Sequence, residues 1–301
     1  MRVHYSDHHV VPLPAGHRFP MGKYARLRAL LLARGLVRED ELVRAEPAPL
    51  AALLGAHDEA YVRAFLAGQL DERAMRKIGL PWSEALVART LASAGGTLMA
   101  ARAALAAGEG IAANLAGGTH HAAAAEGSGY CVFNDLAIAA RAMRAEGRAR
   151  RVLIVDVDVH QGDGTAAIFA GDPDVFTLSL HGARNFPFRK QQSSLDVELP
   201  DGTTDEMYLM ALAPALVRAF DTARPELVLV QAGVDALAED RLGRLSLTLE
   251  GLRARDQQIL GTCHARGVPV VLTLGGGYAE PIEASVEAHA GTYAVARRIY
   301  G

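Results

Sequence analysis

Six short runs of β-forming, mostly apolar residues punctuate the chain, at 3–5, 111–115, 152–157, 175–180, 227–231 and 268–274. The segments between them carry apolar residues at helical spacing. In 84–105, Leu86, Leu91, Ala94, Leu98, Ala101 and Leu105 form one stripe. Segments 136–144, 206–219, 249–265 and 282–299 read as further helices. Thr248 is placed to cap the helix at 249–265, and Pro214 should kink or delay the one at 206–219. The run Val152-Leu153-Ile154-Val155 is apolar at consecutive positions, as in a strand covered on both faces. Strands alternating with helices predict an α/β fold with a central parallel sheet covered by helices on both faces. There is no internal repeat and no low-complexity linker, and the proline-rich loop near 45–49 comes too early to divide domains. A single domain over 1–301 is expected.

Composition narrows the function classes. Half of the 301 residues are apolar, enough for a sizeable core. A formal charge of -3 without any basic run predicts no nucleic-acid partner. Of the 31 basic residues only Lys23, Lys77 and Lys190 are lysine, a bias with no functional account. The two cysteines, Cys131 and Cys263, do not make a disulfide framework, which suits a reducing, cytoplasmic compartment. No signal pattern and no run of eighteen apolar residues is present, so neither export nor a membrane span is expected.

Chemistry gathers where the apolar runs stop. After Val152–Val155 come Asp156, Asp158 and His160, spaced two apart and so on one side of an extended segment. That end of a parallel strand is where open α/β sheets place ligands, and carboxylate with imidazole suits a divalent metal such as zinc. Gly117-Gly118-Thr119-His120-His121 follows another strand; its glycines let both rings face one cavity, the alternative being a polar loop pair. Gly233-Val234-Asp235 ends a third strand, where Asp235 either completes a two-carboxylate, one-imidazole metal site or caps a helix. Gly275-Gly276-Gly277-Tyr278 ends a fourth. It permits close backbone approach to a ligand, but lacks the Lys and Ser or Thr of a Walker loop. Tyr278 alone would read as a packing residue; beside the other pieces it can donate its hydroxyl to a carbonyl oxygen.

Together with Gly129-Tyr130-Cys131-Val132-Phe133-Asn134-Asp135, Asp163-Gly164 and Ser179-Leu180-His181, these motifs resemble the zinc-dependent histone deacetylase family in kind, order and interval. Gln161, the stretch Glu239 to Ser246 and the segment His17 to Tyr24 most resemble class IV. The resemblance implies an arginase/deacetylase-like fold and zinc held by Asp158, His160 and Asp235. It implies that His120 and His121 are the tandem histidines, backed by Asp156 and Asp163 respectively, and that Tyr278 polarises the scissile carbonyl. It further implies a structural potassium at Asp156, Ser179 and Leu180, and a second monovalent site near Phe169, Asp172 and Val175. Gly129, Tyr130, Phe186, Pro187, Gly276 and Gly277 would wall an acyl-lysine tunnel with Leu242 at its rim, and Arg26 would line a pocket beneath the metal.

The implied reaction is hydrolysis of N-ε-acyl-lysine amides in proteins or peptides. His121 would serve as general base and then general acid, with His120 an electrostatic partner. Cys131 has no role in that scheme beyond packing. Class IV resemblance implies that long acyl chains are removed better than acetyl. An alternative is deacetylation of a small acetylated amine such as a polyamine, with Glu239 and Asp240 as acids near the rim. A non-catalytic acyl-lysine or metal-binding module would need neither the His121–Asp163 set nor Tyr278, and an arginase-type two-metal site would need more ligands.

Overall fold

A computed structural model describes residues 1–301. Its centre is one eight-stranded sheet, parallel throughout, with strand order β2-β1-β3-β8-β7-β4-β5-β6. The strands are β1 (Arg2–Tyr5), β2 (Leu42–Arg44), β3 (Ile111–Asn114), β4 (Val152–Asp156), β5 (Val175–Gly182), β6 (Leu195–Leu199), β7 (Leu227–Gln231) and β8 (Val270–Thr273).

The central strands are apolar at every position because each face has its own helical layer. Leu153, Val155, Val228, Val230, Val270 and Leu272 join one core; Val152, Ile154, Leu227, Leu229 and Val271 join the other. The strand period of two splits the sequence between them. On the first face pack α1 (Lys23–Ala33), α8 (Asp205–Ala223), α9 (Leu249–Ala265) and α10 (Glu283–Tyr300). The second face carries α2 (Leu50–Leu54), α3 (Glu59–Leu66), α4 (Glu72–Ile78), α5 (Glu84–Ala104), α6 (Asp135–Ala145) and α7 (Asp163–Ile168).

The six expected strands and five expected helices are present, with ends within a few residues. Thr248 caps α9, its hydroxyl accepting from Gly251 N at 3.0 Å. Pro214 does not delay α8, which runs unbroken from Asp205. Pro214 lies on the solvent face, where the Met210 carbonyl it leaves unpaired can reach water. Both edge strands, β2 and β6, escape a reading by apolar runs because they are short and only partly buried.

Chain order positions the site. From β3 the chain jumps to β4, leaving a gap that β7 and β8 later fill. The loops after β3, β8, β7 and β4, neighbours in the sheet, therefore converge at its carboxyl edge.

Candidate metal centre and catalytic site

Asp158 and His160 lie just beyond β4 and Asp235 just beyond β7, all buried. One ligand atom from each falls within 4.8 Å of the others. His160 Nδ1 lies 2.9 Å from Asp158 Oδ1 and 3.1 Å from Asp235 Oδ2. The other oxygens of the two carboxylates are held from behind. Asp158 Oδ2 accepts from Gln231 Nε2 at 2.7 Å and Gly276 N at 2.9 Å; Asp235 Oδ1 accepts from Val159 N at 2.8 Å. One oxygen of each carboxylate is thus fixed toward the imidazole. Burial and then the Asp158 charge push Asp235 up to about 7. Burial works to lower the His160 imidazole, but its bonds to Asp158 and Asp235 prevail and raise it to about 10. No lysine or arginine pairs with either acid. Two buried carboxylates and one imidazole, oriented by outer hydrogen bonds, are a donor set that fits a divalent cation such as zinc.

The tandem histidines follow β3. Gly118 has φ +77°, and a Cβ there would sit 2.7 Å from the Gly275 backbone, so only glycine allows the two loops to meet. Asp135, at the start of α6, accepts from the backbone N–H of Gly118 at 3.0 Å and of Thr119 at 2.7 Å, fixing the turn. His120 donates through Nδ1 to Asp156 at 2.6 Å, and His121 donates through Nδ1 to Asp163 at 2.6 Å. The environments of the rings separate them. Burial, reinforced by the positive charge of His120, lowers His121 to about 4 despite Asp163. Burial also works against the charged form of His120, but Asp156 and Asp158 overcome it and raise that ring to about 9. Burial therefore favours the neutral form of His121, whose Nδ1 is engaged by Asp163 and whose Nε2 has no hydrogen bond within the chain.

Both histidines, Asp158, His160, Gly276 and Tyr278 line one cavity of about 1280 Å³. The Tyr278 phenol is pushed well above its usual range by burial and then by the charges of Asp158 and Asp235, so its proton is available for donation. Phe186 stands edge-on to His121, with ring centroids 5.0 Å apart, and Tyr130 packs 6.1 Å from Tyr278. Gly129, Tyr130, Phe186, Pro187 and Leu242 line the cavity. Gly277 lies behind the wall, its carbonyl accepting from Lys23. Cys131 is buried, and burial raises its thiol far above the usual range, so it is no nucleophile.

Other expectations need correction. Arg26 does not reach beneath the metal centre; it is exposed and ion-paired to Glu283, on a face of α1 away from the buried stripe of Lys23, Tyr24, Leu27 and Leu31. Lys23 is there instead, buried, donating to Gly275 O at 3.1 Å and Gly277 O at 3.3 Å. Asp240 is not a rim acid. It is turned inward, accepting from the backbone N–H of Tyr278 at 2.6 Å and of Leu242 at 2.8 Å, while Glu239 lies outside the cavity. Asp156 and Ser179 are register partners across β4 and β5. The Asp172 carboxylate pairs with Arg144 at 2.7 Å and Arg141 at 3.6 Å, which leaves main-chain carbonyls as the available donors near Phe169, Asp172 and Val175.

The sequence reading also passed over Gln231, Arg255 and Arg89. Arg255 is fully buried and donates to Val157 O at 3.2 Å and Gly233 O at 2.6 Å, tying the loops after β4 and β7 together. Arg89 is buried on Tyr24, 4.3 Å above the ring, faces the cavity and has no hydrogen-bond or ion-pair partner within the chain. A polar residue ending the apolar strand Leu227–Gln231 was the available signal for Gln231.

The site lies at the carboxyl edge of a parallel sheet, the usual ligand position in open α/β folds. The histone deacetylase domain model matches residues 17–293, and the chain belongs to the histone deacetylase family. It is accordingly a hydrolase of the deacetylase type. It is 47% identical over 298 residues to an uncharacterized protein of Picosynechococcus, covering 99% of both chains. It is 30% identical to histone deacetylase 2 of Arabidopsis thaliana, over 87% of this chain and 70% of that one. With histone deacetylase 8 of Xenopus tropicalis the identity is 30%, over 85% and 73% of the two chains. The crystal structure of the HDA15 HD domain has the same fold, with TM-score 0.83 and 22% identity over 99% of this chain and 91% of that one.

Proposed function

We propose that the chain is a zinc-dependent hydrolase of N-ε-acyl-lysine amides, of class IV type, acting on proteins or peptides. One observation carries the reading: a buried Asp158–His160–Asp235 donor set shares a cavity with a neutral, Asp163-oriented His121 and with Tyr278. Zinc held by those three residues would supply a Lewis acid for the carbonyl and acidify a water. The protein's own groups do the rest. His121 Nε2 takes the proton from the attacking water and later returns one to the leaving amine. Asp163 holds the ring in the tautomer that leaves Nε2 free. His120, cationic and pinned by Asp156, stabilises negative charge. The Tyr278 hydroxyl donates to the oxyanion, a kind of contact worth about 3–4 kcal/mol.

The small-amine alternative loses its support at Asp240, whose carboxylate is spent on the backbone of its own loop. Potassium is proposed at Asp156, Ser179 and Leu180, and a cytoplasmic location is in keeping with the free, buried Cys131 and Cys263. Asp158→Ala is the direct test. It should lose both bound zinc and hydrolysis of acyl-lysine peptides; full zinc occupancy in that variant would overturn the ligand assignment.

A further inference from the structure

The mouth of the cavity is strongly biased in charge. Its exposed lining includes Arg18, Lys77, Arg184, Arg189, Arg241 and Arg244, against Glu126 as the one exposed acid. The chain as a whole carries a formal charge of -3, so this is a local segregation and not a reflection of composition. The acids beside these cations do not cancel it. Asp201 is shared by Arg184 at 3.6 Å and Arg244 at 3.3 Å, Glu280 pairs with Arg241, and Glu126 pairs with Lys77 at 2.6 Å. Arg18 and Arg189 have no acidic partner, and deeper in, Arg89 has none either. The pairs that do form are between exposed side chains, so incoming carboxylates can exchange with them at little cost.

Among these cations stands Phe188, 88% exposed, on the loop that also carries Arg184, Phe186 and Arg189. Exposed aromatic and arginine side chains side by side are the composition of protein-binding surfaces, where the aromatic is desolvated and the arginines fix register. A small amine would have no use for Phe188. A lysine-rich segment would bring its charges up against the arginines, and like-charge juxtaposition is costly.

We propose that this rim selects acyl-lysines set in acidic protein segments, with carboxylates flanking the modified lysine meeting Arg184, Arg189 and Arg18 and an apolar side chain covering Phe188. The inference rests on the acyl-lysine reading of the site and names its substrate class. The test uses peptides of one length with the same acyl-lysine flanked by Glu, Gln or Lys. Binding is read by fluorescence anisotropy and hydrolysis separately, at low and high salt. The Glu-flanked peptide should bind about tenfold more tightly than the Lys-flanked one at low salt, with the ratio shrinking as salt screens the rim. The double variant Arg184→Glu, Arg189→Glu, checked for an unchanged melting curve, should reverse the order. Equal affinities, or tighter binding of the Lys-flanked peptide, would overturn the proposal. Binding in the expected order without hydrolysis of any peptide would instead sink the acyl-lysine reading and leave the rim's selectivity standing.

Discussion

Gln231 Nε2 lies 2.7 Å from Asp158 Oδ2, on the side of the carboxylate that faces away from His160. The same side chain accepts from Gly233 N at 2.7 Å, so one amide braces both loops that carry the candidate ligands Asp158 and Asp235. Removing a partner of this kind commonly costs 10- to 100-fold in metal affinity. Gln231→Leu should therefore weaken zinc binding by about that factor while the protein stays folded. Competition with a chelator measures it. Unchanged zinc affinity would mean that Gly276 N alone suffices to orient Asp158.

The two tandem histidines should fail differently. Burial pushes His121 down and leaves its Nε2 without a hydrogen bond in the chain, whereas Asp156 and Asp158 push His120 up. His121→Ala should cost about 100-fold or more in kcat with little change in substrate affinity, the usual size of a general acid–base contribution. His120→Ala should be milder. Single-turnover rates of both variants, with melting curves alongside, decide the matter; equal losses would remove the division of labour.

The sequence carried the core of this site because its chemistry sits at the ends of buried strands. Asp156, Asp158 and Asp235 are conspicuous after runs that must be apolar on both faces. Family resemblance then paired His120 with Asp156 and His121 with Asp163, pairings that no local pattern contains. What stayed hidden depended on tertiary approach. Lys23 and Arg26 are both basic residues in the first turn of α1, and only the angle at which that helix meets the Gly275–Gly277 loop decides which is buried. Asp240 reads as a surface acid until the loop folds its carboxylate under Tyr278. The edge strands β2 and β6 have one neighbour each and need no long apolar run to form.

Acid stability has a local origin. His57 is buried, and its Nε2 accepts the Asn134 backbone N–H at 2.8 Å while Nδ1 donates to Ala123 O at 3.0 Å. Protonating Nε2 would oppose two donors at the N-cap of α6. Burial lowers the ring to about 4 from 6.5, despite its carbonyl partners. The folded state binds this proton less readily than the unfolded chain does. Its contribution to stability is fully present above about pH 6.5, declines as pH falls, and is gone near pH 4. A shift of that size corresponds to about 3 kcal/mol. His57→Gln should have a flatter stability profile between those pH values than the parent protein in urea titrations. Parallel profiles would place the acid sensitivity elsewhere, with the buried His4 and His181 next in line.

Chain length is the remaining question of specificity. The cavity, about 1280 Å³ from its mouth to the metal centre, has the half-buried side chains of Phe19, Tyr130, Phe186 and Leu242 in its apolar lining. Each methylene buried there gains about 0.8 kcal/mol if the chain fits without displacing packed atoms. Several methylenes together outweigh any one exposed charge pair, worth about 1 kcal/mol or less. Such burial is equal in ground and transition states, so it lowers KM more than it raises kcat. The expected signature is a higher kcat/KM for octanoyl- and longer-chain lysine than for acetyl-lysine, mainly through KM. If acetyl-lysine or an acetylated polyamine has a clearly higher kcat/KM than every long-chain peptide in such a panel, the cavity does not serve the acyl chain, and its volume must be filled by water or by displaced side chains during turnover.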